Sequence, residues 1–322
     1  MSNKQKYIEL CKSEPSIPLF SKSWWLDSVT DNWDVALVIR NNRIVASLPY
    51  CLSHKYGKYK YITLPLLTQS IGIWIEYPEN QKYTSKLSYE KEIINELINQ
   101  LPDFDYFNQN FHYSFSNFLP FHWNGYTQTS RMTYLINDLS DVDNIFNNFE
   151  GRIRKEIRKA EKTINVDFDD NIELFYELNN QVFKKQGLAI PYTFEFIKKL
   201  DRNLSTNKSR RIFFAKDISN NIHAALYLVW DSNSAYYLMG GTNLDYRTSG
   251  AMSLLMWEAI KYASTVTTKF DFEGSMIEPI ENFFKGFGAV QQQYTNISKI
   301  NSKSILLLNT LAQFKKLLIA KK

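Results

Sequence analysis

The chain is short of cysteine, histidine and long apolar runs, and each shortage removes a class of protein. Cys11 and Cys51 are its only cysteines, too few for a disulfide framework and without metal-ligand spacing. The four histidines, His54, His112, His122 and His223, are scattered, and none pairs with another at the helical spacing of a zinc site. Its 11 glycines form no Gly-x-Ser-x-Gly elbow, no phosphate loop ending in Gly-Lys-Ser/Thr and no dinucleotide-binding pattern. Hydrolase, kinase and dehydrogenase readings lose ground together. No stretch approaches bilayer-spanning length, Ile305–Leu308 being among the longest aliphatic runs. Met1–Ser16 is polar and lacks the apolar core of a signal peptide. A cytoplasmic protein of bacterial type is the expectation.

What is present is a globular composition. Apolar residues make up 44% and charged residues 22% of 322 residues, which leaves room for two domains of ordinary size. Aromatic residues reach 15% and are expected mostly in cores. The net charge of +5 is consistent with a polyanionic partner without requiring one.

Periodicity gives an alternation of strands and helices. Val35–Arg40 and Ile44–Tyr50 read as strands around an Asn41-Asn42-Arg43 hairpin loop, followed by strands at Lys60–Leu64 and Ile71–Glu76. Leu87–Leu101 has a helical period, and Phe104–Phe107 reads as the next strand. The second half opens with helices at Ile172–Val182 and Phe194–Leu200. Strands follow at Arg211–Lys216, Ile222–Trp230 and Ser234–Met239, then a helix at Ser249–Ser264 and a strand at Lys269–Phe272. Strand hairpin, strand, helix, strand thus occurs twice, with Asp105 and Asp271 in matching positions. The expected domains are 1–140 and 166–300, joined by a basic helix within 141–165 and followed by an amphipathic helix over 303–322.

In the basic segment Ile153, Ile157, Ala160 and Ile164 form one apolar stripe, leaving Arg154, Lys155, Arg158, Lys159 and Lys162 on the other side. Such a face suits phosphates, whether of a nucleotide sugar, coenzyme A or transfer RNA; the alternative is a solvated face softened by Glu156 and Glu161. The tail places Leu307, Leu311, Phe314 and Leu318 on one side, beside Lys315, Lys316, Lys321 and Lys322. Packing of this helix on the domain is expected, with a membrane surface as the alternative.

Two places remain for chemistry. The first is the loop Gly240–Met252, running from a strand into a helix whose free N–H groups would point at an anion. Arg247 would add charge there, and Gly250 would let a ligand approach, unless the loop is a plain turn with Ser249 as N-cap. The second is Phe270–Ala289. Phe270 and Phe272 face one side of a strand, and Asp271 and Glu273 the other. Ser275 and Glu278 have capping-box spacing, and Pro279 stands in the first turn of the helix that follows. Lys285 there is either a surface partner of Glu281 at i,i+4 or a positive charge offered to an oxyanion or phosphate. Asp271 or Glu273 would orient or deprotonate an attacking amine.

Phe270-Asp-Phe-Glu-Gly-Ser275 with Phe283-Phe-Lys-Gly-Phe-Gly288 resembles the closing segment of the Fem-type transferases. These are tandem GNAT-like enzymes that use aminoacyl-tRNA to build peptide cross-bridges of bacterial cell walls. Arg152–Ala160 is similar to their basic inter-domain segment, and Gly240-Gly241 with the helix after Arg247 fits their second domain. The resemblance spans about Trp24 to Lys299 and is most specific in the C-terminal half.

It implies an α/β fold of tandem GNAT-like domains, each a mixed, mainly antiparallel sheet flanked by helices. It places the family's Phe-Lys on Phe284 and Lys285, the lysine stabilising a tetrahedral intermediate. Arg247-Thr-Ser-Gly250 also resembles the coenzyme A loop of ordinary acetyltransferases, but Met252 stands where a small residue is expected, and no insertion matches the tRNA-binding helical arm of some members. The implied reaction is N-acyl or aminoacyl transfer to an amine on a cell-wall or polysaccharide precursor. No cofactor is bound permanently; acyl-CoA or aminoacyl-tRNA serves as co-substrate. Asp271 and Glu273 would handle the amine, Lys285 the oxyanion, Arg247, Gly250 and Phe284 the donor, and Arg154 and Arg158 the phosphates of donor or acceptor. The work would take place in the cytoplasm or at the inner face of the membrane. A non-catalytic protein docking RNA or an anionic membrane is the alternative.

Overall fold

A computed structural model describes the chain except residues 186, 275, 277, 309 and 312–322 and the side chain of Lys185. It divides into two compact units, one built from Met1–Arg131 together with the chain from Tyr294 on, the other from Met132–Gln293.

In the first unit, helices α1 (Asn3–Ser13) and α2 (Ser23–Val29) precede a hairpin of β1 (Trp33–Arg40) and β2 (Arg43–Lys55). Asn41 and Asn42 at its tip take φ values of 50° and 63°, the left-handed pair that a tight two-residue turn requires and that Asn tolerates. Strand β3 (Tyr59–Thr63) is antiparallel to β2, and β5 (Tyr106–Phe111) runs parallel to β3. A parallel neighbour needs a crossover, supplied by α3 (Tyr83–Asn99). Its Ile93, Ile94 and Leu97 are fully buried against Val38, Leu48, Ile62 and Phe107 of the sheet. The predicted strand at Ile71–Glu76 shrinks to β4 (Trp74–Ile75), which pairs with β2. A short α4 (Leu119–Trp123) completes the unit.

The chain enters the second unit within β6 (Thr127–Ile136) and returns within β12 (Val290–Ile300), whose last residues pair antiparallel with β5. Between these strands lie α5 (Val142–Asn147), α6 (Gly151–Ala160), β7 (Ile164–Phe168), α7 (Ile172–Lys185) and α8 (Phe194–Thr206). Then come β8 (Arg210–Asp217), β9 (Ile222–Trp230), β10 (Ala235–Thr242), α9 (Ala251–Ala263), β11 (Phe270–Asp271) and α10 (Glu278–Lys285). The strands stand in the order β7-β8-β9-β10-β11-β6, all antiparallel except β10 and β11. Helix α9 is the crossover between those two, so hairpin, strand, helix, strand is built in each unit as the sequence expects.

Two boundaries move. The first unit ends at Arg131, inside β6, rather than at 140, because the strand itself carries the chain across. The basic helix α6 belongs to the second unit instead of linking two domains. Its Ile153 and Ile157 are fully buried in the core that holds Leu254, Leu255 and Ala259 of α9. In the C-terminal segment, residues 303–308 are helical, yet Leu307 and Leu311, expected to pack, are 62% and 56% exposed. Phe314, Leu318 and the terminal lysines lie outside the described residues, as does Ser275 of the expected capping box.

Replacing a fully buried Ile by Ala removes buried methylene groups and leaves a cavity, at about 2–5 kcal/mol. Ile157→Ala should therefore lower unfolding stability by about 2–4 kcal/mol, while Lys155→Ala on the exposed side changes it by less than about 0.5 kcal/mol. Chemical denaturation of both variants, followed by circular dichroism, tests the difference.

Candidate active site

Strands β10 and β11 pair over two positions only, Ala235 with Phe270 and Tyr236 with Asp271. Beyond Tyr236, β10 runs on to Thr242 while the other chain turns away, so the two strands diverge. At the point of divergence β10 carries a bulge: its register against β9 passes from Tyr237–Leu228 to Met239–Tyr227 and leaves Leu238 without a partner there. A bulge re-aims backbone groups and commonly stands beside a functional site.

Asp271 closes the short strand. Phe270 and Phe272 enter the core as expected, but Asp271 is equally inaccessible, at 0% exposure. Its Oδ1 accepts hydrogen bonds from the Thr133 hydroxyl on β6 and from the Glu273 amide at 2.8 Å. Its Oδ2 has no hydrogen-bond partner. Burial pushes the Asp271 carboxyl up to about 7, against which the two hydrogen bonds pull only weakly. Glu273 follows with φ 57° and Gly274 with φ 53°, a sharp left-handed turn. A side chain at 274 would run into the Met132 carbonyl at 2.2 Å, so glycine is required. Glu273 is half-buried, its Oε1 screened from solvent and unpaired. Burial, and then repulsion from Asp271, drive its carboxyl well above the usual range. Two carboxylates so placed titrate as a pair that retains a proton at neutral pH.

A wall of aromatic groups completes this corner. The Tyr237 ring meets Phe284 edge to face at 5.9 Å, and Phe284 lies 5.4 Å from Phe272. Burial, with the charge of Glu273, raises the Tyr237 phenol. Gly240 makes room for that phenol, since a Cβ there would stand 2.5 Å from the Tyr237 hydroxyl oxygen. Beside β10, Tyr192 donates to Asn179 Oδ1 at 2.8 Å, and Asn179 Nδ2 on α7 donates to the Gly240 carbonyl at 3.3 Å.

The remaining sequence candidates are not gathered here. Lys285 is exposed and paired with Glu281 at 3.6 Å, and Glu281 accepts a hydrogen bond from Tyr134. Tyr134 and Thr133 are consecutive on β6 and point to opposite sides of the sheet. Lys285 is thus linked to one side, and the Asp271 carboxylate, bound to Thr133, lies on the other. Gly250 does take φ +78°, but what approaches it is the Glu156 carbonyl of α6, 2.7 Å from where a Cβ would stand. Ser253 donates to Glu156 Oε2 at 2.6 Å, and Lys159 Nζ donates to the Thr248 carbonyl at 2.9 Å. The expected anion seat at the start of α9 is therefore faced by a carboxylate of the chain itself. Arg247 is exposed in the preceding loop. Arg154 donates to the Asn147 carbonyl at 2.9 Å, and Arg158 lies over the Phe146 ring at 5.8 Å, so both engage α5. Phe284 is 5% exposed and supports Tyr237 from within the core. Sequence reasoning missed Thr133, Tyr237 and the Leu238 bulge; the aromatic-glycine run Tyr236–Gly241 is the one local signal for the last two.

Residues 147–276 match the family model of the acetyltransferase (GNAT) domain. No curated protein sequence matches the chain. Among solved structures, FemX is similar with a TM-score of 0.68 and 14% identity, over 95% of this chain and 98% of that one. L-PGS from Bacillus licheniformis gives a TM-score of 0.55 and 12% identity, over 100% and 98%. A tandem GNAT protein from the clavulanic acid biosynthesis pathway gives 0.53 and 9%, over 93% and 95%. At these identities the likeness is one of fold: the chain has the tandem GNAT-like architecture of FemX.

Between pH 4 and 7 the folded chain holds a proton on Asp271 that the unfolded chain, with a carboxyl near 3.8, has released. Wild-type stability therefore falls as pH rises through that window. Asp271→Asn keeps an oxygen acceptor for Thr133 and Glu273 and removes the charge. Its stability relative to wild type should rise across the window by at most about 1.4 kcal/mol per pH unit, read by urea denaturation from pH 4 to 8.

Proposed function

From a chain whose second unit carries a GNAT acetyltransferase domain, we propose an N-acyltransferase that moves an acyl or aminoacyl group from an activated ester or thioester to an amine. The observation that carries this reading is the partly unpaired carboxylate pair at the point where β10 and β11 diverge. An amine is nucleophilic only after losing a proton, and a carboxylate whose proton affinity is raised by burial and by a neighbouring carboxylate is suited to accept one. Glu273, the less buried of the two, takes the proton, while Asp271 raises its basicity and fixes the turn through the Glu273 amide. Attack on the acyl carbonyl forms a tetrahedral oxyanion, and the Leu238 amide at the bulge is a fixed donor for that charge. The proton then passes to the leaving oxygen or sulfur. Lys285 is left to balance Glu281.

The donor reading follows from α9. Coenzyme A brings a diphosphate, and Glu156 at the start of this helix repels one. An aminoacyl ester on tRNA needs no such seat, and Lys155, Arg158 and Lys162 offer exposed positive charge to its phosphates. The resemblance of Phe270–Gly288 to the closing segment of the Fem-type transferases supports an acceptor amine on a cell-wall or polysaccharide precursor.

Glu273→Gln should slow transfer by about 10²–10⁴-fold with the chain still folded. Lys285→Ala should change the rate by less than about 3-fold. Wild-type kcat/KM should rise with pH to a plateau through an apparent pKa belonging to the pair, and Asp271→Asn should displace that limb. The assay offers aminoacyl-tRNA and acetyl-CoA in parallel to amino sugars and amino-acid amides, with product mass as readout. Full activity of Glu273→Gln, or preferred use of acetyl-CoA, overturns the corresponding step.

A further inference from the structure

The first unit ends in a surface that water alone does not explain. Leu306, Leu307 and Leu308 are consecutive on the helical segment at 303–308 and are 54%, 62% and 53% exposed; Leu311, one turn on, is 56% exposed. Ile305 is the residue of this run that turns inward, at 2% exposure. Three successive exposed leucines are out of place on a surface meant only for water. They are spread over the broad side of the helix that faces away from Ile305.

The leucines are held beside a basic, aromatic loop tip. The end of β2 and its turn into β3 carry exposed His54, Lys55, Tyr56 and Lys58, with Tyr56 79% exposed and Gly57 in open space. Asp105 fixes the two elements together. Its carboxylate accepts from the Lys60 amide at 2.8 Å, and its carbonyl accepts from the Asn301 amide at 2.9 Å, directly before the helix. The Ser304 side chain lies beside the Tyr59 phenol and shifts its titration downward. Lys303 adds a further cation, and the sequence from Phe314 to Lys322, Phe-Lys-Lys-Leu-Leu-Ile-Ala-Lys-Lys, continues the same chemistry.

We propose that this face of the first unit docks on an anionic lipid bilayer, with the leucines and Tyr56 in the interfacial layer and Lys55, Lys58 and Lys303 against the headgroups. Charge complementarity selects the occupant, because apolar groups flanked by lysines match the acyl boundary and the anionic headgroups together. The surface is separate from the carboxylate pair, so its failure would leave the transfer reaction standing, and the reverse.

The test is co-sedimentation of the full chain with vesicles of phosphatidylcholine alone and of phosphatidylcholine with about one third phosphatidylglycerol. Binding is expected on the anionic vesicles only, and should weaken several-fold when salt rises from about 0.1 to 0.5 M. Leu306→Ser/Leu307→Ser/Leu308→Ser should lower the bound fraction by at least about 10-fold. Because those side chains are exposed, its melting temperature should stay that of wild type. Lys55→Glu/Lys58→Glu provides a second variant, with a smaller loss that salt no longer deepens as strongly. Equal binding to both vesicles, or none to either, overturns the proposal. So does a dimer in light scattering that the serine variant dissolves, because the leucines would then serve a second copy of the chain.

Discussion

A parallel strand pair cannot be closed by a tight turn, and both units are organised by that requirement. Each supplies one helix, α3 or α9, to carry the chain over the sheet, and that helix fills the largest share of the core beside it. In the second unit the consequence is chemical. Strand β11 arrives from the crossover, pairs over two positions and leaves β10 with six residues, 237–242, beyond the shared stretch. The bulge, the left-handed turn at Glu273 and the aromatic wall all stand where that pairing stops.

The buried carboxylate is costly for the fold and, in the proposed reaction, useful for one and the same reason. A desolvated carboxylate with two hydrogen bonds and one bare oxygen would gain stability as an amide, yet an amide cannot alter the basicity of a neighbour. The fold tolerates the cost because both of its hydrogen-bond donors are otherwise well placed. Thr133 sits in a strand with its neighbour Leu135 paired directly to Asp271, and the Glu273 amide is presented by a turn that Gly274 allows. Strain and desolvation meet at one corner, which is where binding energy from a substrate would be used.

Much of this was legible in the sequence, and the gaps have physical causes. Strands β8, β9 and β10 and helices α6 and α9 carry apolar patterns long enough to be read singly. Strands β6 and β12 do not. Thr127–Ser130 and Val290–Gln291 are polar or exposed, and their partners lie far away in the sequence. Asp271 and Glu273 could be identified as a pair from strand alternation. The burial of Asp271 could not, since its hydroxyl partner stands 138 residues earlier. Lys285 was open between two roles, and the i,i+4 pair with Glu281 is the one built. Gly250 has a packing reason beside the one the sequence suggests. A glycine before a helix suits a phosphate, and here the Glu156 carbonyl also lies 2.7 Å from where a Cβ would stand.

That occupied space connects the basic helix to the choice of donor. Helix α6 buries Ile153 and Ile157 beneath α9, and the same register that does so brings Glu156 to the first turn of α9. One packing solution therefore accounts for the core, for the left-handed Gly250 and for a carboxylate at the first turn of α9. A diphosphate arriving there would meet Glu156, held by the Ser253 hydroxyl, as a like charge. The cations left on the outer side of α6 are spread along its length, which suits a backbone of many phosphates better than a single pair. In the proposed reaction the donor would thus be selected by how two helices pack, through a residue that lies in neither the strand nor the turn that carries the candidate carboxylates.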